Sequence, residues 1–193
     1  YKQQRDAGSC GIPRATLLAY LREAADGLDH LNHQYGLQHL DVKPGNLLMM
    51  AGHVKVADFG LLKDLGDADC SIIGGLTPVY APPEIFDGQP SLHSDQYSLA
   101  VMFQELLTGT RPFSGRTIAQ LASQHVHNAP NLEPLPPRDR VVLAKALEKD
   151  PKQRFESCTA FIEALQSSRR EPVEASLGKT LPKDILGEVE DLP

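Results

Sequence analysis

The stretch from His39 to Asp58 constrains the rest of the chain more than any other. It opens with His39-Leu40-Asp41-Val42-Lys43-Pro44-Gly45-Asn46, a carboxylate, a lysine and an amide arranged around a Pro-Gly pair. Pro44-Gly45 predicts a tight loop in place of a helix or strand. Leu47-Leu48-Met49-Met50 and then Val54, Val56 and Ala57 predict two short antiparallel strands joined by a turn at Ala51-Gly52. A hairpin that short brings its ends together, so Asn46 and Asp58 become neighbours and Asp41 sits in the loop beside them. Oxygen ligands at the mouth of a hairpin, next to another carboxylate and a lysine, suit Mg²⁺ and a phosphate.

The same residues carry a resemblance. His39 to Asn46 resembles the catalytic loop of the eukaryotic-type serine/threonine protein kinases, in a form close to the bacterial ones. Asp58-Phe59-Gly60 resembles their metal-binding triplet. Thr77-Pro78-Val79-Tyr80-Ala81-Pro82-Pro83-Glu84 is similar to the segment that closes their activation loop, with Pro82 where alanine is usual. Ser94-Asp95-Gln96-Tyr97-Ser98-Leu99 resembles the start of the central helix of the larger lobe. Arg154, in Lys149-Asp150-Pro151-Lys152-Gln153-Arg154-Phe155, matches the arginine that pairs with the glutamate at Glu84. The motifs run in the family's order from about residue 10 to 167.

The resemblance implies a fold and a set of roles. The expected fold class is α+β and mainly α-helical: the large, carboxy-terminal lobe of a protein kinase, with a short β-hairpin at the catalytic loop and the small lobe absent. It would occupy residues 1–167, and residues 168–193 would be a linker or disordered tail. Asp41 would accept the proton of a substrate hydroxyl and orient it for attack on the γ-phosphate of ATP. Lys43 would offset charge near that phosphate, and Asn46 and Asp58 would hold Mg²⁺. Lys43 and Thr77 together place the chain with the serine/threonine branch. His39 and Phe59 would stack in an apolar spine, and Gly60 fits a position needing unusual backbone angles. Glu84 and Arg154 would form a buried pair, and Asp95 would begin the central helix.

One position departs from the pattern. Leu40 stands where most relatives carry an arginine that grips a phosphate on the activation loop, and leucine makes no charge-assisted pair. The loop from Leu61 to Leu76 holds Asp64, Asp67 and Asp69, with Ser71 as its hydroxyl before Thr77. Activity is therefore expected not to depend on loop phosphorylation. Leu40 is also the residue that favours the alternative, a non-catalytic pseudokinase that binds a protein partner. Asp41, Lys43, Asn46 and Asp58 favour the enzyme. A small-molecule kinase is disfavoured by Thr77 to Glu84 and Arg154, which resemble a peptide platform.

Composition narrows the partners. A net charge of −6 leaves no basic footprint, so nucleic acid is not an expected partner. Cys10, Cys70 and Cys158 are scattered without a C-x-x-C, which suggests a reducing compartment and neither a disulfide framework nor a zinc site. No apolar run reaches membrane-spanning length, and the expected location is the cytoplasm. The expected partners are a protein substrate presenting Ser or Thr and the small lobe, in the same polypeptide or another. A Gly-rich phosphate loop and a strand lysine for the phosphates have no counterpart before residue 10, so these 193 residues alone are expected to be a poor catalyst.

Periodicity places the other elements. Leu17, Leu18, Leu21, Ala24, Ala25, Leu28 and Leu31 recur at helical spacing and predict a helix from Arg14 to Tyr35, stopped by Gly36. His30 and His33 read as polar-face residues in preference to metal ligands. Leu99 to Leu107 predict a helix apolar on most sides, ended by Gly109. Further helices are expected over Thr117 to His127, Arg138 to Lys149 and Glu156 to Leu165, with an extended, proline-rich run from Asn128 to Pro137. Val141, Leu143, Leu147, Phe161, Ile162 and Leu165 are expected inward. His125 and His127 lie two apart, on different faces, which argues against a shared metal.

Overall fold

The computed structural model describes residues 11–60, 63–64 and 77–168, with 63–64 described only as a strand. Ser71, the two cysteines Cys10 and Cys70, and residues 169–193 lie outside the described residues. Helix α1 (Arg14–Tyr35) buries Leu17, Leu18, Leu21, Ala24, Ala25 and Leu28 along one stripe. It stops at Gly36, whose φ of 66° is left-handed and whose N–H closes on the Asn32 and Leu31 carbonyls. After β1 (Leu37–Gln38) and a short turn at Pro44–Asn46 comes the hairpin of β2 (Leu47–Met50) and β3 (His53–Val56). These strands pair antiparallel with Leu47 opposite Val56 and Met50 opposite His53. Ala51 and Gly52 take φ of 51° and 83°, the paired positive values of a two-residue hairpin turn. A second ribbon joins β1 to β4 (Lys63–Asp64), a pairing too short to leave any sequence pattern.

The remaining elements are helical: α2 (Pro83–Phe86), α3 (Ser94–Thr108), α4 (Ile118–His127), α5 (Pro137–Ala146) and α6 (Cys158–Ser167). Helix α3 is the centre. Every residue from Ser94 to Gln104 is buried, as is Leu106, and Gly109 ends the helix at φ 74°. Its apolar side chains join those of α1, α5 and α6 in one core. Such a helix would be costly to bury were its polar side chains unpartnered. Gln96 instead bonds the backbone of Phe155 and Ser157, and Gln104 donates to the Asn131 carbonyl at 2.8 Å.

Two expectations change. Val141 faces solvent at 75% exposure, and the inward stripe of α5 is Asp139, Leu143 and Ala146. Asp139 points inward because Arg14 meets it with two hydrogen bonds, at 3.0 and 2.6 Å. The apolar count places Leu143 and Leu147 inward, as found, and misplaces Val141 alone. Helix α5 also begins at Pro137 and ends at Ala146, and α6 begins at Cys158 after an N-cap at Ser157. Asp29, on the buried side of α1, caps α6 by accepting the N–H groups of Cys158 and Thr159 at 2.9 and 2.8 Å. This ties the first helix to the last.

Candidate active site

The loop from His39 to Asn46 is held from below by α3. Asp95, 3% exposed, accepts the backbone N–H of His39 and of Leu40, each at 2.8 Å. Leu40 has a φ of 62°, a left-handed backbone that a branched side chain does not choose for itself. The two bonds to one carboxylate hold it there. Burial pushes the Asp95 carboxyl above its usual range, against the two N–H donors, which favour the anion. His39 bridges the loop to the hairpin. Its Nδ1 accepts the Asp41 N–H at 3.3 Å and its Nε2 meets the Ala57 carbonyl at 3.0 Å, so the ring proton resides on Nε2. The ring packs on Phe59 with centroids 5.2 Å apart.

Asp41 is 7% exposed and enclosed by donors. The Thr77 hydroxyl donates to Oδ1 at 2.8 Å, while the Lys43 ammonium and Asn46 Nδ2 donate to Oδ2 at 2.5 and 2.9 Å. Lys43 also donates to Thr77 Oγ1 at 3.0 Å, which closes a triangle. Asn46 spends its second amide hydrogen on the Asp41 carbonyl at 2.9 Å. Its Oδ1 is then the end of the amide left for a cation. The Ala57 N–H reaches the Asn46 carbonyl at 2.9 Å, extending the hairpin ladder to its mouth and setting Asp58 beside Asn46.

Asp58, not Gly60, carries the strained backbone of the triplet: its φ is 64°, and Gly60 is not among the glycines with positive φ. The sequence expectation that Gly60 takes the unusual backbone angles is corrected: they fall on Asp58. Gly60 serves by its size, since a Cβ there would come within 3.3 Å of Asp58 Oδ1. Asp58 is exposed and its carboxylate is open to solvent. Asn46 Oδ1 and Asp58 are hard oxygen donors, and one or two such groups completed by phosphate oxygens are what Mg²⁺ takes. The donor set therefore fits that ion. No cluster of three His, Cys, Asp or Glu side chains that would hold a metal occurs among the described residues.

The segment beyond Thr77 is fixed at its end by Glu84 and Arg154. Two parallel bonds join them, Nη1 to Oε1 and Nη2 to Oε2, each 2.8 Å. The Arg154 side chain is fully buried and that of Glu84 is 9% exposed. Nε donates to the Glu148 carbonyl at 2.8 Å, and Ser91 and Ser94 hydroxyls reach Glu84 at 3.1 and 2.9 Å. Every polar atom of the pair's business end thus has work, which is the condition for a buried ion pair to persist.

Comparison with known proteins decides the family. Residues 4–168 match the family described as protein kinase domain. The chain belongs to the protein kinase domain family. It is 35% identical over 164 residues to the protein called serine/threonine-protein kinases drp72 of Corynebacterium efficiens, covering 82% of this chain and 31% of that one. It is 35% identical over 167 residues to serine/threonine-protein kinase PknA of Mycobacterium tuberculosis, 79% of this chain and 39% of the relative. For PknL of the same organism the figures are 33% over 159 residues, 78% and 40%. The chain spans between 31% and 40% of the length of these relatives.

Several side chains of this kinase domain escaped the sequence reading. Ser98, on α3, donates to the Tyr80 carbonyl at 2.8 Å, and the Tyr80 hydroxyl donates to Glu105 at 2.6 Å. His125, on α4, is wholly buried, with Nδ1 at 2.9 Å from the Tyr97 hydroxyl. Burial, and then the neighbouring Lys149 ammonium, hold its pKa down at about 4. The unfolded chain therefore takes up this proton first, near 6.5. His125 contributes stability that is complete above about pH 6.5 and is lost as pH falls toward 4, about 3 kcal/mol in all. Urea unfolding between pH 7 and 4 should show this slope in the wild type and lack that part of it in His125→Phe. Equal slopes would contradict the assignment. No described helix is long and apolar enough to cross a membrane.

Proposed function

We propose that residues 1–167 form the large lobe of an ATP-dependent serine/threonine protein kinase, followed by a linker or tail over residues 168–193. The observation that carries this reading is Asp41, a nearly buried carboxylate whose two oxygens are fixed by Lys43, Thr77 and Asn46 at the mouth of the hairpin that leads to Asp58. Phosphoryl transfer asks little covalent chemistry of a protein and depends on positioning and charge. A side chain held by three donors is already positioned.

In this reading Asp41 accepts the proton of a substrate Ser or Thr hydroxyl as its oxygen bonds to the γ-phosphorus. The bond from that phosphorus to the bridging oxygen breaks, and ADP leaves. Lys43 shares Asp41 with the substrate and places positive charge beside the transferring group. Asn46 and Asp58 hold Mg²⁺, which neutralises phosphate charge when bound. Thr77 joins the catalytic carboxylate directly to the peptide-binding segment, whose far end is locked by Glu84 and Arg154. The small lobe, in the same polypeptide or supplied by another, completes the ATP site. Protein substrates dock on the segment from Thr77 to Glu84.

The test is to incubate the native polypeptide with labelled Mg²⁺–ATP and a mixed protein acceptor, and then to identify the labelled residue. Phosphoserine and phosphothreonine support the reading. Label confined to phosphotyrosine or to a small molecule would overturn it, and ATP-independent partner binding without transfer would favour the pseudokinase reading that Leu40 raises. Because Leu40 cannot grip a loop phosphate, Ser71→Ala is expected to retain most of the activity of the wild type. Abolished transfer in that variant would refute phosphorylation independence.

A further inference from the structure

A groove of about 420 Å³ lies where the start of α1, the start of α5 and the end of α6 meet, lined by Arg14, Ala15, Leu18, Ala19, Arg138 and Gln166. Its floor is apolar. Leu18 is buried, and Ala15 and Ala19 stand exposed on the same face of α1. The two arginines are not equivalent. Arg14 spends its guanidinium on Asp139, on the Leu165 carbonyl at 2.6 Å and on the Ser168 hydroxyl at 3.3 Å. Arg138 has no bonded partner among the described residues and is exposed in the first turn of α5. The helix dipole at that end favours an anion, so a cation there gains from an acidic neighbour.

The chain itself leads to this groove. Helix α6 ends beside it: Gln166 lines the wall, and the Ser168 hydroxyl accepts from Arg14 and donates to the Leu165 carbonyl at 2.7 Å. The sequence continues from that point through residues 169–193. There Leu181, Ile185, Val189 and Leu192 recur three or four residues apart, with Leu186 beside them. Asp184, Glu188, Glu190 and Asp191 are interspersed, against Lys183 as the cation of that stretch. Residues 169–180 reach up to about 40 Å when extended, ample for a groove that adjoins the exit from α6.

We infer that residues 181–192 seat in this groove, with apolar side chains on Ala15, Leu18 and Ala19 and carboxylates toward Arg138. The inference goes beyond the kinase reading and does not depend on it. Apolar side chains match the floor, and the acidic excess matches the unpartnered cation on the rim. The tether makes the contact intramolecular, at an effective concentration of about millimolar, so an affinity too weak to hold a free peptide suffices. A second copy of the chain fits less well, because a two-fold pairing through this face would set Arg138 near its own counterpart. Once seated, the segment shields the Arg14–Asp139 pair from water and holds the end of α6 to the start of α1.

The experiment is hydrogen exchange on the native polypeptide, comparing wild type with Arg138→Glu and with Ile185→Asp. Amides of residues 183–192 should exchange about tenfold more slowly in the wild type than in a free peptide of that sequence, and either substitution should remove most of the difference. The α3 core should exchange alike in all three, which shows that each variant is folded. Reversing the acids as well, with Glu188→Lys, Glu190→Lys and Asp191→Lys on the Arg138→Glu chain, should restore the protection. Wild-type exchange at 183–192 as fast as in the free peptide would overturn the inference. So would protection that survives Arg138→Glu, which would place the segment elsewhere, or protection that grows with protein concentration, which would assign the groove to a second copy.

Discussion

Asp41→Asn in the native polypeptide is expected to lower kcat for phosphoryl transfer by about 10²–10⁴-fold, the usual worth of a positioned base. The geometry says why so similar a side chain fails. Both oxygens of Asp41 accept, Oδ1 from Thr77 and Oδ2 from Lys43 and Asn46. An asparagine offers one acceptor and one NH₂ group, so one side of the triangle must meet a donor with a donor. The variant thus loses the base and loosens Lys43 together. Thermal unfolding near that of the wild type, with KM for ATP little changed, would show that the loss is chemical. A fall of less than tenfold would mean that Asp41 does not take the proton.

Arg154→Met should cost about 3–5 kcal/mol of folding stability, the penalty for leaving a buried charge without its partner. Glu84 would remain 9% exposed with two serine hydroxyls as its surviving donors. Removing both charges, as Glu84→Gln with Arg154→Met, should recover much of that loss, because nothing ionic is then stranded. Urea unfolding of the single and double variants measures the difference. A cost below about 1 kcal/mol for the single change would mean that the pair behaves as a surface contact. The Arg154→Met chain should also lose the cation over Tyr97, which stands 4.8 Å from the guanidinium carbon.

What could be read from the sequence was local. The hairpin, its turn at Ala51-Gly52 and the meeting of Asn46 with Asp58 follow from a period of two and a short loop, with no long-range contact needed. The bounds of α1 follow from a seven-residue apolar stripe and a glycine stop. The placement of Asp95 under the loop does not follow from pattern, because its partners His39 and Leu40 lie more than fifty residues earlier. The inward position of Asp139 does not follow either, for the same reason: its partner Arg14 is 125 residues away. Polar residues that face a core through a remote partner look like surface residues to any local count.

The triplet Asp58-Phe59-Gly60 shows a different limit. Its spacing from Asn46 identified the residues, yet the strained backbone belongs to Asp58, and Gly60 contributes empty space beside it. His125 left one usable signal. It lies four residues after the buried Leu121 on the same face of α4, so its burial was implied by helical periodicity. What it touches there depends on Phe86, Tyr97 and Phe113, which come from three other segments.

The central claim is that Asp41, Lys43, Asn46 and Asp58 form a phosphoryl-transfer site. It is tested most directly by a single-turnover reaction of the native polypeptide with Mg²⁺–ATP and a protein acceptor, run beside Asp58→Ala. The account predicts transfer to serine or threonine by the wild type, and its loss in Asp58→Ala with the chain still folded. Equal transfer by the two proteins, or none by the wild type under conditions where it binds Mg²⁺–ATP, would contradict it.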